Sequence, residues 1–240
     1  MNLDIKQSWA NIANQLATSE DENTFHTWFN TSKDMHESIA NGSVDFYHRI
    51  FTLDLYDYID DPREKTCLEL GFGGGRLLRA ALEIFQTAYG IDVSSEQTFN
   101  IVGQFLNKFV YNKDRFNLIH RDNTDSIPDN SIDFVYSFIV FQHFSSIEEV
   151  EFYVKLCKRV MKYNAIGKIF FTAGDRQVTQ QEFANNPRVE TLFIQPQEFK
   201  NLLLKYDLNP FNDVHHAGKK QLWSNPNNLS SQHIIQFCKD

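Results

Sequence analysis

The sequence predicts an α/β fold: seven strands in a mostly parallel sheet, helices on both faces, an antiparallel last strand and an N-terminal helical cap. Three observations carry this. From residue 66 onward, short continuous apolar runs alternate with amphipathic helical stretches, as in a parallel sheet covered on both sides. Residues 1–60 lean helical and precede the first strand. Two late strand-like runs, near 211–217 and at 232–238, are joined closely enough to pair antiparallel and close one edge.

The elements follow in order. Trp9, Ile12 and Leu16 share one helical face. An acidic turn, SEDEN, leads to the aromatic FHTWF and a helix-compatible stretch ending in LYDYI. The charged, proline-bearing DDPREK marks a boundary. TCLELG (66–71) reads as a strand, RLLRAALEIF (76–85) as a helix and AYGIDV (88–93) as the next strand. Ser94 with Gln97 three residues on is a capping-box pattern, opening a helix over 95–110. FNLIHRD (116–122), IDFVYSFIV (132–140) and KIFFTAG (168–174) are further strands, with a helix over 145–162 between the last two. PQEFKNLLLKY (196–206) is a helix leading to the late strands.

Composition narrows the function. The 240 residues are 42% hydrophobic, with 22 phenylalanines, enough for a packed core. The net charge is -8, and residues 1–65 hold twelve acids against five bases. That balance supplies no basic face for a polyanion and argues against nucleic acid as partner. Cys67, Cys157 and Cys238 have no CxxC or metal-ligand spacing and read as buried free thiols in a reducing compartment. The N-terminus has no signal-peptide pattern and no run is long enough for a membrane span, so the expected location is the cytoplasm.

The stretch LELGFGGGRLL (68–78) is where a ligand must approach the backbone. A phosphate loop would need a lysine after its glycines, and none follows. A dinucleotide fingerprint would need glycine at 76, where this chain has Arg76. The pattern present is acid-x-Gly-x-Gly-x-Gly, from Glu69, Gly71, Gly73 and Gly75. It resembles motif I of the class I S-adenosylmethionine-dependent methyltransferases, whose fold is Rossmann-like. IHRDNTDSIPDNSIDFVYSFIVFQHF and KLCKRVMKYNAIGKIFFTAG resemble that family's later motifs, so the likeness runs strongly over 66–174 and in outline over 196–240.

The resemblance implies S-adenosylmethionine as cofactor and S-adenosylhomocysteine as product. Asp92, followed by Val93, would take the ribose hydroxyls, and Glu69 the cofactor's amino group. Asp122 would meet the adenine amine and Asn123 the ring edge. Ser137, Phe138 and Ile139 would line the pocket near the sulfonium. Phe72, where a small residue is common, would crowd or shield the cofactor. Residues 1–60 would then form a substrate-covering cap and 61–240 the cofactor-binding domain.

His143, past the fourth strand, is the candidate general base, with a local hydrogen bond as the competing reading. Arg76 opens a helix, the wrong end for a cation, and so implies a paired carboxylate, read as a solvated surface pair. Phe25, Trp28, Phe29, Phe46, Tyr47 and Phe51, with His26, His36 and His48 among them, read mostly as core between cap and sheet, or else as an aromatic cavity. No histidine has metal-ligand spacing. The expected activity is methyl transfer to an oxygen or nitrogen of a small molecule. A catalytically silent cofactor-binding or partner subunit is the alternative, and an NAD-dependent oxidoreductase a weaker one. The sequence leaves oligomeric state open.

Overall fold

A computed structural model of the chain describes residues 5–18, 22–30, 32–110, 112–186, 188–215 and 232–240. Its centre is a seven-stranded sheet: β1 (Thr66–Leu70), β2 (Thr87–Asp92), β3 (Phe116–His120), β4 (Ile132–Ser137), β5 (Met161–Thr172), β6 (Leu208–His215) and β7 (Gln232–Lys239). The order across the sheet is β3-β2-β1-β4-β5-β7-β6. The first five strands run parallel. β7 pairs antiparallel with both β5 and β6, so it slots inside the sheet and leaves β6 at the edge. The predicted antiparallel pair is present, and residues 216–217 of the first predicted run lie outside the described residues.

The helices are α1 (Ile5–Ala17), α2 (Glu22–Asn30), α3 (Met35–Asp45), α4 (Arg76–Ile84), α5 (Glu96–Asn107), α6 (Ile147–Val160), α7 (Gln180–Asn185) and α8 (Pro196–Lys205). A π-helical turn, Phe46–Ile50, continues α3. Two apolar clusters cover the sheet. One joins α4 and α5 to cap residues Phe25, Phe46, Ile50 and Phe51. The other joins α6 and α8 through Val150, Val154, Phe199 and Leu203. The first predicted cap residues are therefore core on one face, as Phe25, Phe46 and Phe51 are almost wholly buried. Among the described residues, no helix is long and apolar enough to cross a membrane.

Element ends differ from the sequence reading for local reasons. β4 stops at Ser137 because Ile139 turns to φ 59°. β5 begins at Met161, seven residues before the predicted start at 168, with Asn164 at φ 63° inside it. The cap of α5 is Ser95, whose side chain accepts from the Thr98 amide, one residue beyond the predicted Ser94. Ser94 instead bonds to Asp92.

Strand order reverses between β1 and β4, and a crevice opens there beyond the strands' carboxyl ends, the usual ligand position in an open α/β sheet.

Candidate active site

The loop between β1 and α4 forms one wall of the crevice. Gly71 and Gly73 have φ of 80° and 49°, backbone states that side chains avoid. A Cβ on Gly71 would lie 2.5 Å from Val140, and one on Gly73 would lie 3.2 Å from Phe29. These two glycines keep the backbone open to a close neighbour. Gly75 does something else: it caps α4 at φ 78°, and a Cβ there would meet Val102 of α5 at 2.7 Å. It packs helices together and does not line the crevice.

Two carboxylates stand at the strand ends. Asp92 accepts from the Gly73 amide at 2.9 Å on one oxygen. Its other oxygen accepts from the Val93 amide at 2.8 Å, the Ser94 amide at 3.1 Å and the Ser94 hydroxyl at 2.6 Å. Asp92 thus ties the glycine loop to the start of α5. Glu69 is 2% exposed and accepts from the Tyr136 hydroxyl at 3.1 Å. Burial pushes its pKa up to about 8, with the Tyr136 bond and the Arg76 charge pulling the other way.

The crevice encloses about 710 Å³, within the usual range for small-ligand sites. Glu69, Gly71, Phe72, Gly73, Asp92, Val93, Phe138, Ile139 and His143 line it. Gly75, Asp122, Asn123 and Ser137 do not. The Ser137 hydroxyl is buried and donates to the Leu70 carbonyl at 2.9 Å, tying the ends of β4 and β1. After β3 the chain enters a short 3-10 turn, Arg121–Ser126, that leaves Asp122 and Asn123 exposed. Arg121 is the residue of that turn that reaches the crevice, with its guanidinium 4.3 Å from the Phe152 ring. Phe72 is almost buried, packed edge-on to Phe99 at 5.1 Å and over Gly90, where a Cβ would strike it at 2.9 Å. Ile139 is strained by its positive φ, a cost that clusters at functional sites.

His143 lies in a 3-10 turn, Phe141–His143. Its Nδ1 is 3.2 Å from the Val189 carbonyl, and its ring is 4.9 Å from that of Trp9. Burial lowers its pKa to about 4, so the imidazole is neutral near pH 7. The local bond anticipated as the competing reading is present. It fastens the strap around 188–194, which also donates the Thr191 and Leu192 amides to the Gln142 carbonyl.

The cap completes the crevice. Trp28 and Phe29 line it, as does Trp9, which the sequence reading placed only on a helix face. Tyr47 points elsewhere, with its hydroxyl on Glu83. His26 is buried with Nδ1 3.1 Å from the Gly74 carbonyl, and His36 and His48 are exposed. Among the described residues, no group of acidic, cysteine and histidine side chains could hold a metal. The Arg76 reading needs correction: its partner is Asp45 at 2.6 Å, and the two side chains are only 13% and 15% exposed. The pair is enclosed because α3 packs directly on the start of α4, which brings Asp45 to the crevice wall. Sequence reasoning also passed over Asn41, Asp45 and Arg49, which line the wall from α3 and the π-turn. Their signal, acids and bases one helical turn apart, is common to any solvated helix face.

A methyltransferase domain model matches residues 68–168. No curated protein matches the chain in sequence. Among solved structures, a SAM dependent methyltransferase from Aquifex aeolicus is 17% identical, covering 83% of this chain and 93% of its own, with a TM-score of 0.54. Geranyl diphosphate C-methyltransferase from Streptomyces coelicolor, in complex with Mg2+, geranyl diphosphate and S-adenosyl-L-homocysteine, is 11% identical over 99% of this chain and 98% of its own, at 0.61. Magnesium protoporphyrin IX methyltransferase from Synechocystis, with bound SAH, is 9% identical over 99% and 100%, at 0.63. At these identities the likeness to solved structures speaks for the fold. The matched methyltransferase domain has the glycine loop at its start, and the sheet is that of the Rossmann-like methyltransferase fold.

Proposed function

We propose that this chain binds S-adenosylmethionine in the crevice and transfers its methyl group to an oxygen or nitrogen atom of a small molecule. The observation that carries the reading is the convergence, on one cavity, of an open glycine loop and two differently held carboxylates. The residues suit such a cofactor: the loop has room for close approach, and Glu69 is a buried acid well placed to meet a cation.

When bound, the cofactor supplies a methyl carbon activated by a sulfonium leaving group. The chain's own tasks are alignment and exclusion of water. In this reading Asp92 takes ribose hydroxyls on the oxygen that holds only the Gly73 amide, while Glu69 takes the amino group. Val93, Phe72, Phe138 and Ile139 bound the remaining space, and Ser137 acts through the strand end it fastens. Asp122 and Asn123 meet the adenine only by re-aiming the 121–126 turn, so Arg121 is the better candidate there. The cap over residues 1–60 covers the acceptor, and residues 61–240 hold the cofactor. With a pKa near 4, His143 is a weak base. Its Nδ1 donates to the Val189 carbonyl and its Nε2 accepts from the Gln142 amide at 3.5 Å, so both ring nitrogens are engaged. This favours an acceptor that arrives with a free lone pair. The acidic cap and the free cysteines support a cytoplasmic enzyme with a small-molecule partner over one acting on nucleic acid.

Calorimetric titration with S-adenosylmethionine, S-adenosylhomocysteine and NAD tests this, in wild type and Asp92→Ala. Micromolar binding of the two sulfur ligands, lost in the variant and absent for NAD, is the expected result. Failure of both to bind, or binding of NAD alone, would overturn the reading. Binding without methyl transfer to any of a broad acceptor panel would favour the silent subunit.

A further inference from the structure

Five carboxylates line the crevice, and four of them are already engaged. Asp45 holds Arg76 and Arg49. Glu69 takes the Tyr136 hydroxyl, and Asp92 the donors of the glycine loop and the start of α5. Glu149 accepts from the Ser145 amide at 2.6 Å and the Ser145 hydroxyl at 2.9 Å, ahead of α6. The fifth is Glu190. Among the described residues it has no ion pair, although two arginines are near in sequence. Arg176 pairs with Glu182, and its charge reaches Glu190 without an ion pair between them. Arg188 lies 4.3 Å over the Trp28 ring and donates to the Trp28 carbonyl.

Neighbours on both sides fix where Glu190 stands. The Val189 carbonyl accepts from His143 Nδ1, and the Thr191 amide donates to the Gln142 carbonyl at 2.6 Å. The Glu190 carboxyl meets the Thr172 hydroxyl at the end of β5. Gln232 pairs with Thr172 in register and bonds to the Gln142 side chain. β5 lies on the far side of β4 from β2, so Glu190 faces the crevice from the side opposite Asp92. Trp9, Trp28 and His143 line the same space, with the Trp9 ring 5.8 Å from Trp28 and 4.9 Å from His143. Burial pushes the Glu190 carboxyl above its usual range, with the Thr172 hydroxyl and the Arg176 charge pulling the other way. A carboxylate in that state gains from any donor or positive charge brought to it.

We propose that Glu190 receives the acceptor by accepting a hydrogen bond from an amine N–H, so that the methyl group goes to nitrogen. This rests on the cofactor reading. In the transfer the nitrogen lone pair attacks the methyl carbon and the C–S bond breaks, its electron pair passing to sulfur. The positive charge thereby moves from sulfur to nitrogen. Glu190 and the wall of aromatic rings meet that charge where it develops. The proton on the methylated nitrogen then leaves through Glu190, which is partly exposed to solvent. A hydroxyl acceptor would have to lose its proton as it attacks, a task for which both Glu190 and His143 are weak bases.

The test uses the full chain as wild type, Glu190→Gln and Glu190→Asp. Calorimetry compares S-adenosylhomocysteine with sinefungin, which carries a protonated amine where the methyl-bearing sulfur stands. Glu190→Gln should weaken sinefungin about tenfold, the size of one charge-assisted contact, and leave S-adenosylhomocysteine unchanged. Glu190→Asp should recover part of the loss. A merely structural role would weaken both nucleosides alike. Alongside, release of S-adenosylhomocysteine from S-adenosylmethionine is followed with phenethylamine against phenethyl alcohol and tryptamine against tryptophol. Turnover of an amine, with kcat/KM reduced in Glu190→Gln, supports the proposal. Turnover of the alcohols alone, or an unchanged preference for sinefungin in Glu190→Gln, overturns it. Where neither pair turns over, the sinefungin preference alone decides. If wild type binds neither nucleoside, the cofactor reading has failed and this one falls with it, a result distinct from nucleosides that bind with unaltered preference.

Discussion

The ends of β1 and β2 each present one carboxylate to the same crevice, and the two are prepared in opposite ways. Asp92 is held by local donors, three on one oxygen and one on the other. Glu69 is buried, meets the Tyr136 hydroxyl and has its pKa raised to about 8. The contrast follows from position. Asp92 is the last residue of its strand, where the turn into α5 aims backbone amides back at it. Glu69 lies one residue inside its strand, where the amides are spent on neighbouring strands and the side chain alone enters the cavity. One carboxylate is built to hold the protein's own loop. The other is left without a charge partner of its own, which is the state a cationic group can improve.

The strongest way to break this comparison is to remove the anchor. Asp92→Ala leaves the Gly73, Val93 and Ser94 donors without their acceptor. Loss of so many bonds to a charged group is expected to cost roughly 2–4 kcal/mol of stability. Affinity for S-adenosylhomocysteine should fall by about 100-fold or more, since the loop's anchor and the proposed ribose contact are both removed. Thermal unfolding and calorimetry check the two effects. An unchanged melting temperature would mean that Asp92 does not organise the loop.

Next comes Glu69→Gln. Near pH 7 the wild-type carboxyl is mostly protonated, so the amide should fold with stability within about 1 kcal/mol of it. The difference should appear with pH. The folded pKa of about 8 lies above the unfolded value of 4.5, so the native state holds the extra proton between them. The contribution is full below pH 4.5 and lost as pH rises to about 8. Urea unfolding from pH 5 to 9 should therefore show wild type losing stability relative to Glu69→Gln. Ligand binding should report the same group. An ammonium entering beside Glu69 drives its proton off, so wild type at pH 7 should release a fraction of a proton. The glutamine variant should release none and bind about tenfold more weakly. Titration in buffers of different ionisation enthalpy measures this.

How much of this was legible in the sequence follows the same divide. The glycine loop, both carboxylates and every strand could be read because alternation, glycine spacing and strand-end acids are local signals. The contribution of the cap could not. Asp45 and Arg49 reach the crevice through the packing of α3 on α4 and the π-turn after it, and Trp9 through α1, which packs on α2 and α5; no residue spacing announces such packing or a π-turn. The sequence also placed Asp122, Asn123 and Ser137 in the pocket by motif alone. Their side chains depend on how a 3-10 turn and a strand end rotate, which is decided by contacts far along the chain.

His143 sharpens the comparison from the other side, as a base that is buried neutral. Its folded pKa near 4 lies below the unfolded 6.5. Its contribution to stability is full above pH 6.5 and lost as pH falls toward 4, the reverse of the sign at Glu69. His143→Asn, whose amide can still donate to the Val189 carbonyl, should flatten the acid limb of the stability profile between those values. If His143 serves only to hold the strap, methyl transfer should lose no more than about threefold in kcat and keep its pH profile. A loss of roughly 100-fold or more, with a shifted acid limb in the rate, would restore the general-base role.

The smallest change is the most discriminating. Tyr136→Phe removes one hydroxyl from a fully buried ring and leaves that ring's contacts with Phe46 and Phe134 in place. The cost should be about 1 kcal/mol, that of a single hydrogen bond. Because the Tyr136 bond lowers the pKa of Glu69, its loss should push that pKa further up. Glu69 then starts more fully protonated at pH 7, so ligand binding should release closer to one whole proton than in wild type. A carboxylate already ionised in the free protein would give no release in either form. Proton release that rises in Tyr136→Phe and vanishes in Glu69→Gln would place the titrating group at the end of β1, and distinguish it from the loop-bound carboxylate one strand away.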